Sequence, residues 1–364
     1  MKRYCLISFA NIYVMPYAKL YIDSILTCGA ECDLVYWDRD AVNGKNDGFD
    51  ECRKICYQRK ITPDSSAKEK LIGYIESRNF IIKELRKTNY DGIIFLQTHA
   101  AVACKDILKR KYRKKYIVDI RDYTLENHSI YRILENKVIT EAFATVISSP
   151  AYRQFLPKRD FVIAHNYSPF PSEMVNNIKK SAYIEKTDPI QISFVGTVRF
   201  IDMDKKLLKV FANDERFKLN YFGVGSEVLE DYCIKEGITN TEFHGSFTPD
   251  MTASFYQKTD LINNLYGNHS PFLDYALSNK LYHSGQLYIP ILVCPDTYME
   301  EVSINYNMGF VFDVEKKDAK ELLYKWYHEL DREKFTKGCD AFISSVIQEN
   351  IAYGKMINDF LIQQ

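Results

Sequence analysis

The feature that most constrains this chain is an alternation. Short runs that are apolar along their length are each followed by a segment with apolar residues at helical spacing. In the first half the runs are YCLISFA, CDLVYWD, DGIIFLQ, YIVDI, ATVIS and FVIAHN, and helical segments at Tyr17–Thr27, Ser65–Lys87, Ala101–Lys111 and Ile130–Phe143 lie between them. Strands of this kind are buried on both faces, and joining them through helices makes them parallel. The alternation stops at Tyr167–Pro189, where Ser-Pro-Phe-Pro and Asp-Pro read as a linker. It then restarts with QISFVG, FKLNYFG, TEFHG, DLINNLY, IPILVC and GFVFD, separated by helices near Lys205–Asn213, Glu227–Glu236, Thr248–Gln257 and 279–287. The pattern predicts an α/β fold of two doubly wound domains, 1–170 and 190–338, with a linker at 171–189. A helix over 339–364 follows, and its Phe342, Val346, Ile351, Met356 and Phe360 suit packing along one or both domains.

A chain of 364 residues, 46% of them hydrophobic, is long enough for two such cores. Its longest uncharged apolar stretches, Gly92–Ala103 and Leu287–Cys294, fall short of the roughly 20 residues a membrane-spanning helix needs. Met1–Cys5 runs directly into a strand without the apolar core of a secretory signal, so the expectation is a soluble, cytoplasmic chain. Nine cysteines fit a reducing compartment. Cys28, Cys32, Cys52 and Cys56 form two C-x3-C pairs, but Cys28 closes a helix and Cys32 opens a strand, which argues against a zinc site.

The zero net charge hides an asymmetry: residues 1–170 hold 28 Lys and Arg against 20 Asp and Glu, or +8, which leaves −8 for the remainder. Lys109, Arg110, Lys111, Arg113, Lys114 and Lys115 concentrate the excess. Such a cluster suits an anionic membrane surface or equally a solvated helix face. No nucleic-acid partner is expected.

In open α/β sheets ligands bind beyond the carboxyl ends of the strands, so the loops there are where chemistry is sought. ISFVGTVRF ends a strand at Gly196 with Arg199 shortly after. Glycine admits a ligand to the backbone, and an arginine fork pairs with phosphate. YFGVGSEVLEDY repeats the idea with Gly223 and Gly225 before a helix. In YALSNKLYHSGQLYIPILV, Ser278 can cap a helix starting at Asn279, whose free amides and Lys280 suit a diphosphate. Each element taken singly also reads as an ordinary turn or capped surface helix.

The order of these elements, ending in SNKLY, IPILV and EEVSINYNMGFVFD, resembles the donor domain of GT-B glycosyltransferases of bacterial capsule and lipopolysaccharide assembly. ISFANIYVMPYAKLYIDSI, CDLVYWDRD and YIVDIRDYTLE resemble the acceptor domain of the same group. The resemblance spans nearly the whole chain. It implies two Rossmann-like domains facing a central cleft and transfer of sugar from a nucleotide-diphosphate donor, a UDP-sugar favoured. The acceptor implied is lipid-linked or an oligosaccharide, so the protein is expected at the inner face of the plasma membrane. Carried over by position, the resemblance makes Arg199 and Lys205 diphosphate contacts, sets Gly223 in the donor loop, and brings the backbone near His244 to the base. Asn279, Lys280 and Leu281 would line the diphosphate and sugar. Many retaining members carry two glutamates across this segment where this chain has Ala276 and His283; the imidazole of His283 can still bond a hydroxyl.

In the first half, VDIRDYTLE places Asp119, Arg121, Asp122 and Glu126 after a strand. Asp122 or Glu126 suits a general base and Arg121 suits developing charge; the other reading is an ion-paired loop. His99 is a second base candidate. Asp202-Met203-Asp204 has the form of a metal-binding D-x-D, but it opens a helix, where acids act as caps, and no other cluster has metal spacing, so metal-independent chemistry without a cofactor is expected. Besides the transferase, two readings remain open: a non-catalytic GT-B-like partner subunit of a transferase complex, and a nucleotide-sugar epimerase.

Overall fold

A computed structural model of the chain describes residues 1–41, 48–62, 64–181, 188–248 and 251–363. The chain divides into two units, Met1–Asn166 with Gln348–Gln364, and Tyr167–Ile347. In unit 1 the strands are β1 (Arg3–Ser8), β2 (Glu31–Asp38), β3 (Arg53–Gln58), β4 (Gly92–Phe95), β5 (Tyr116–Ile120), β6 (Ala144–Ile147) and β7 (Val162–Ile163). They form one sheet in the order β3-β2-β1-β4-β5-β6-β7, parallel throughout. In unit 2, β8 (Ile190–Val195), β9 (Phe217–Phe222), β10 (Thr241–His244), β11 (Leu261–Asn264), β12 (Ile291–Val293) and β13 (Gly309–Val311) form a second parallel sheet in the order β10-β9-β8-β11-β12-β13.

Both orders reverse direction beside the first strand of their unit, between β1 and β4 and between β8 and β11. Connections leave to opposite sides there and open a crevice at the carboxyl edge. The central strands are fully buried, as the uninterrupted apolar runs require: Leu6, Ile7, Ile93, Ile94, Ile117 and Val118 in unit 1, Ile192, Phe194, Leu261, Ile262, Ile291 and Leu292 in unit 2.

Three expectations are corrected by the fold. The strand β3 went unread because it is an edge strand of intermediate burial, with Arg53, Lys54 and Gln58 among its six residues. Part of the expected linker is a helix, Ser172–Ser181, with Met174 and Ile178 buried in the unit 2 core; residues 182–187 of that segment lie outside the described residues. The last helix is longer than expected, Arg332–Gln363. Its Phe335, Cys339, Phe342 and Val346 pack in unit 2, and Tyr353, Ile357, Phe360 and Leu361 pack in unit 1.

One polar pair in unit 1 is buried with the core. Glu126 and Glu135 are both almost inaccessible, and burial, followed by the neighbouring Glu126 carboxylate, pushes Glu135 up to about 8. The folded state thus keeps a proton that the unfolded chain releases near the ordinary value of about 4.3. The unfolded state binds fewer protons in this window, so stability falls as pH rises from about 4.5 to about 8 and this contribution levels off above that. Glu135→Gln is expected to flatten this decline by at least about 1 kcal/mol, read from urea midpoints of both proteins across the window. An identical pH slope in the variant would show that the pair holds no extra proton.

Candidate functional site

The site is built at the carboxyl edge of the second sheet. Gly196 follows β8 at φ +134°, and Gly223 follows β9 at φ +141°. A Cβ on Gly223 would lie 2.0 Å from the Gly196 carbonyl oxygen, so this glycine is required by the approach of two loops to each other. Gly196 N–H donates to the Phe222 carbonyl at 2.8 Å and Gly223 N–H to the His244 carbonyl at 2.8 Å, which ties the ends of β8, β9 and β10 together.

Beside this tie lies a cavity of about 480 Å³ lined by residues including Gly196, Thr197, Arg199, Asn264, Tyr266, Asn279, Lys280 and His283. That size holds a nucleotide-sized ligand. The helix Asn279–Leu287 points its N-terminus here; Ser278 caps it, accepting from the Lys280 amide at 3.3 Å. Lys280 is only 5% exposed. Its Nζ donates to the Tyr266 hydroxyl at 2.5 Å, lies 3.9 Å from the centroid of the Phe194 ring, and sits 3.8 Å from where a Gly196 Cβ would be. No carboxylate among the described residues lies within ion-pair distance of it.

The acid that feels Lys280 is Asp204, buried beneath the β8 and β9 ends and bonded by the Tyr221 hydroxyl at 3.1 Å. Burial pushes its carboxyl up to about 7, against the opposing pull of Tyr221, the Lys280 charge and Asn263. Near neutral pH Asp204 is therefore only partly ionised, and the ammonium is left with an aromatic box and an incomplete countercharge. Asn264 adds a second unsatisfied group to the lining: it is 4% exposed and its Oδ1 has no hydrogen-bond partner among the described residues. His283 Nδ1 meets the Tyr256 hydroxyl at 3.0 Å; burial, then the Lys280 charge, lower it to about 4, so it is a neutral imidazole at pH 7.

Of the expected donor residues, Gly196, Arg199, Asn279, Lys280 and His283 come together around the cavity, and Arg199 is exposed there. Four do not line it. Lys205 lies over the Tyr232 ring at 5.2 Å, Leu281 is core, and Gly223 serves the loop contact. His244 is exposed on β10, stacked on Phe222 at 4.9 Å with its ring bonded to Glu242 at 2.7 Å. The helix that follows Gly225 has its first amide occupied internally, because Gly225 N–H donates to Glu227 at 2.9 Å. Tyr266 and Asn264 were not singled out from sequence; the signal was the Asn-Asn pair closing the apolar run DLINNLY, polar side chains where a buried strand meets its ligand edge.

In unit 1 the expected catalytic trio is largely committed elsewhere. Arg121 grips the buried Asp119 with two bonds, at 2.7 and 2.9 Å, donates to the Ala164 carbonyl at 2.9 Å and lies over the Tyr17 ring. Tyr21 donates to the same Asp119 at 2.7 Å. Arg121 is thus a structural clamp, and Glu126 is turned inward to Glu135 and the Thr124 amide. Asp122 stays exposed after β5. His99 stands at the crevice between β1 and β4, packed against Phe9 and Tyr74; both ring nitrogens are buried without a partner, and burial, then the Arg39 charge, lower it to about 4. Among the described residues no group of three metal-ligating side chains assembles; Asp202 sits exposed in the first turn of its helix while Asp204 is buried.

No protein-family model matches the sequence, and no curated protein matches it. Solved structures do. A sucrose-phosphate synthase from Thermosynechococcus elongatus superposes with a TM-score of 0.71 at 11% identity over 100% of both chains. The lipopolysaccharide outer core galactosyltransferase WaaB gives 0.68 at 14% over 99% of both. Anabaena HepE in complex with UDP gives 0.67 at 10% over 99% of this chain and 100% of that one. The chain has the GT-B fold. A putative UDP-N-acetylglucosamine 2-epimerase from Listeria monocytogenes also matches, at 0.56 and 11% over 93% of this chain and 91% of that one, so the fold is shared by more than one kind of reaction.

The contact of Gly223 with Gly196 makes a direct test. Gly223→Ala is expected to cost at least about 2 kcal/mol in chemical denaturation, because the added methyl meets backbone in a region of φ that disfavours side chains. A loss below about 0.5 kcal/mol would mean the loops are not in contact.

Proposed function

We propose that the chain is a nucleotide-sugar-dependent glycosyltransferase of surface polysaccharide assembly. It takes a sugar from a nucleotide-diphosphate donor, UDP favoured, to a lipid-linked or oligosaccharide acceptor, without a metal or a cofactor. The observation that carries this reading is Lys280, a buried ammonium with no carboxylate in contact among the described residues, facing a cavity at the sheet's switch point and helix N-terminus. An anion entering there completes a charge that the protein itself leaves open. UDP bound to HepE and the galactosyltransferase activity in the name of WaaB support nucleotide and sugar as its chemistry.

The chemistry asks little more of the donor side. As the bond from the anomeric carbon to the diphosphate oxygen breaks, negative charge grows on the leaving group. Lys280 and the positive end of the helix dipole meet it from below, and Arg199, exposed at the cavity, meets it from solvent. These two cations supply the role a metal has in other transferases. Neutral His283 bonds a hydroxyl of the ribose or sugar, and the Asn264 oxygen accepts from another. The new bond forms to the acceptor oxygen, whose proton passes to a base; Asp122, exposed after β5, and His99, whose ring nitrogens have no partner among the described residues, are the candidates for it. The departure at Ala276 and His283 favours one other reading, a GT-B-like subunit that binds the nucleotide without turning it over.

Titration calorimetry with UDP and GDP tests the site. Lys280→Met is expected to weaken UDP roughly 10- to 150-fold, the loss of one charge-assisted contact of about 1.5 to 3 kcal/mol, with thermal stability kept. Unchanged affinity removes Lys280 from the site. Release of UDP from UDP-sugars by the wild-type chain separates the transferase from the binding subunit, which binds and releases nothing.

A pH dependence follows from Asp204. Binding an anion beside Lys280 favours the protonated acid, so affinity for UDP-glucose, which has no phosphate titrating in this range, is expected to fall as pH rises through about 7. Asp204→Asn is expected to abolish that fall. A slope that survives in the variant assigns it to another group.

A further inference from the structure

Nine cysteines are scattered along the chain, and the fold of unit 1 brings two of them together. Strands β2 and β3 run parallel and in register, with Asp33 opposite Arg53, Leu34 opposite Lys54 and Tyr36 opposite Cys56. One residue earlier on each chain, Cys32 falls beside Cys52. Side chains at alternate positions of a strand share a face. Leu34 and Tyr36 belong to the same core cluster as Cys32 and Cys52, and Cys56 packs against it, so both thiols point to that face. They lie within hydrogen-bonding reach of each other. Cys32 is 4% exposed and Cys52 6%.

The neighbouring thiols are placed differently. Cys5 sits between Tyr4 and Leu6, which belong to that cluster, so its own side chain lies on the other face of the sheet. Cys28 is exposed just past the helix Lys19–Thr27 and donates to the Ile25 carbonyl at 3.0 Å. Cys56 meets the Tyr36 hydroxyl. Among the described residues no third metal-ligating side chain joins Cys32 and Cys52 in a group, and two thiolates fall short of the four ligands of a structural zinc site. The chemistry open to the pair is that of a dithiol.

Geometry and reactivity agree on this. Neighbouring strands lie about 4.7 to 4.9 Å apart, within the Cα separation of about 4.4 to 6.8 Å that a disulfide spans. The reactive form of a thiol is its thiolate. The hydrogen bond from Cys32 lowers Cys52, and the Lys54 charge acts in the same direction, while burial and the carboxylates of Glu51 and Asp33 oppose it. The same bond, then burial, raises Cys32. The two thiols are thus unequal: Cys52 is the nucleophile and Cys32 the thiol held beside it.

We propose that Cys32 and Cys52 form an oxidation site, a dithiol that hydrogen peroxide converts reversibly into a disulfide tying edge strand β3 to β2. The Cys52 thiolate attacks one peroxide oxygen, the O–O bond breaks, and hydroxide leaves and takes a proton as water. The Cys32 sulfur then attacks the sulfur of the Cys52 sulfenic acid, whose hydroxyl leaves as a second water with the Cys32 proton. Two thiols lose two electrons and one peroxide becomes two waters. Because β3 pairs with β2 alone and is only partly buried, a covalent tie at its amino end restrains a strand that few other contacts hold. The tie lies at the amino edge of the sheet, opposite the edge where ligands of such folds are held. The inference is independent of the proposed function, and its test uses no nucleotide.

The experiment is peptide mapping of the folded full chain after hydrogen peroxide, with remaining free thiols alkylated. Arg39 and Lys45 lie between the two cysteines, so trypsin separates their peptides unless a disulfide joins them. A Cys32–Cys52 link is expected, with dithiothreitol restoring both thiols. In the linked chain the amides of Arg53–Gln58 are expected to exchange with deuterium at least about tenfold more slowly than in the reduced chain. In Cys32→Ser the Cys52 sulfenic acid has no thiol to resolve it, and its capture by dimedone is expected to exceed the wild-type level at least about tenfold. The proposal is overturned if peroxide that oxidises exposed Cys28 leaves Cys32 and Cys52 unlinked, if fragmentation places the link on Cys28 instead of Cys32, if the linked chain exchanges its β3 amides as fast as the reduced one, or if Cys32→Ser traps no more sulfenic acid than wild type.

Discussion

A lysine ammonium buried among aromatic rings, with no carboxylate in contact among the described residues, is the constraint around which unit 2 is arranged. Such a group is costly to bury unless something completes its charge. The ring faces of Phe194 and Tyr266 and the Tyr266 hydroxyl supply part of that. The nearest acid supplies less than it might, because its own burial keeps it partly protonated. The remainder is left open towards the cavity, and this imbalance is the basis of the proposed anion site.

The rest of the unit holds that imbalance in place. Parallel strands bring β8 and β11 side by side and send their connections to opposite faces, so Gly196, Asn264 and Lys280 converge although 84 positions separate the first from the last. The contact between the Gly223 and Gly196 loops leaves no room for a side chain and fixes the lip of the cavity. Beneath it, Tyr221 and Asn263 hold Asp204 at a depth where burial makes it a weaker acid. Unit 1 uses the same topology with different polar residues: its buried charge, Arg121, is satisfied inside the protein by Asp119 and Ala164, and so is not available for a ligand.

That contrast explains what the sequence could and could not reveal. Apolar runs such as SFV in β8 and ILV in β12 announce buried parallel strands because only such strands need every residue apolar. The fold and the Ser-Asn-Lys cap were therefore legible. Edge strand β3, half polar, was not. Arg121 and Arg199 look alike in sequence, each a few residues past a strand. What separates them is a partner: Arg121 has Asp119 two residues back, on the strand it follows, and the Tyr17 ring far away in the chain, whereas Arg199 has open solvent. Glu126 reads as a candidate base for the same reason; its turn towards Glu135 is set by helix packing that no local pattern records. Asn264 was overlooked because a polar residue at a strand end is common, and only its buried, unpaired oxygen distinguishes it.

The most direct test of the central claim is a crystal structure of the chain with UDP bound. Diphosphate oxygen is expected within about 2.7 to 3.2 Å of the Lys280 ammonium, over the N-terminus of the helix Asn279–Leu287, with Tyr266 displaced from or sharing its bond to the amine. UDP bound elsewhere in the chain, with Lys280 still engaged only with Tyr266 and Phe194, would contradict it.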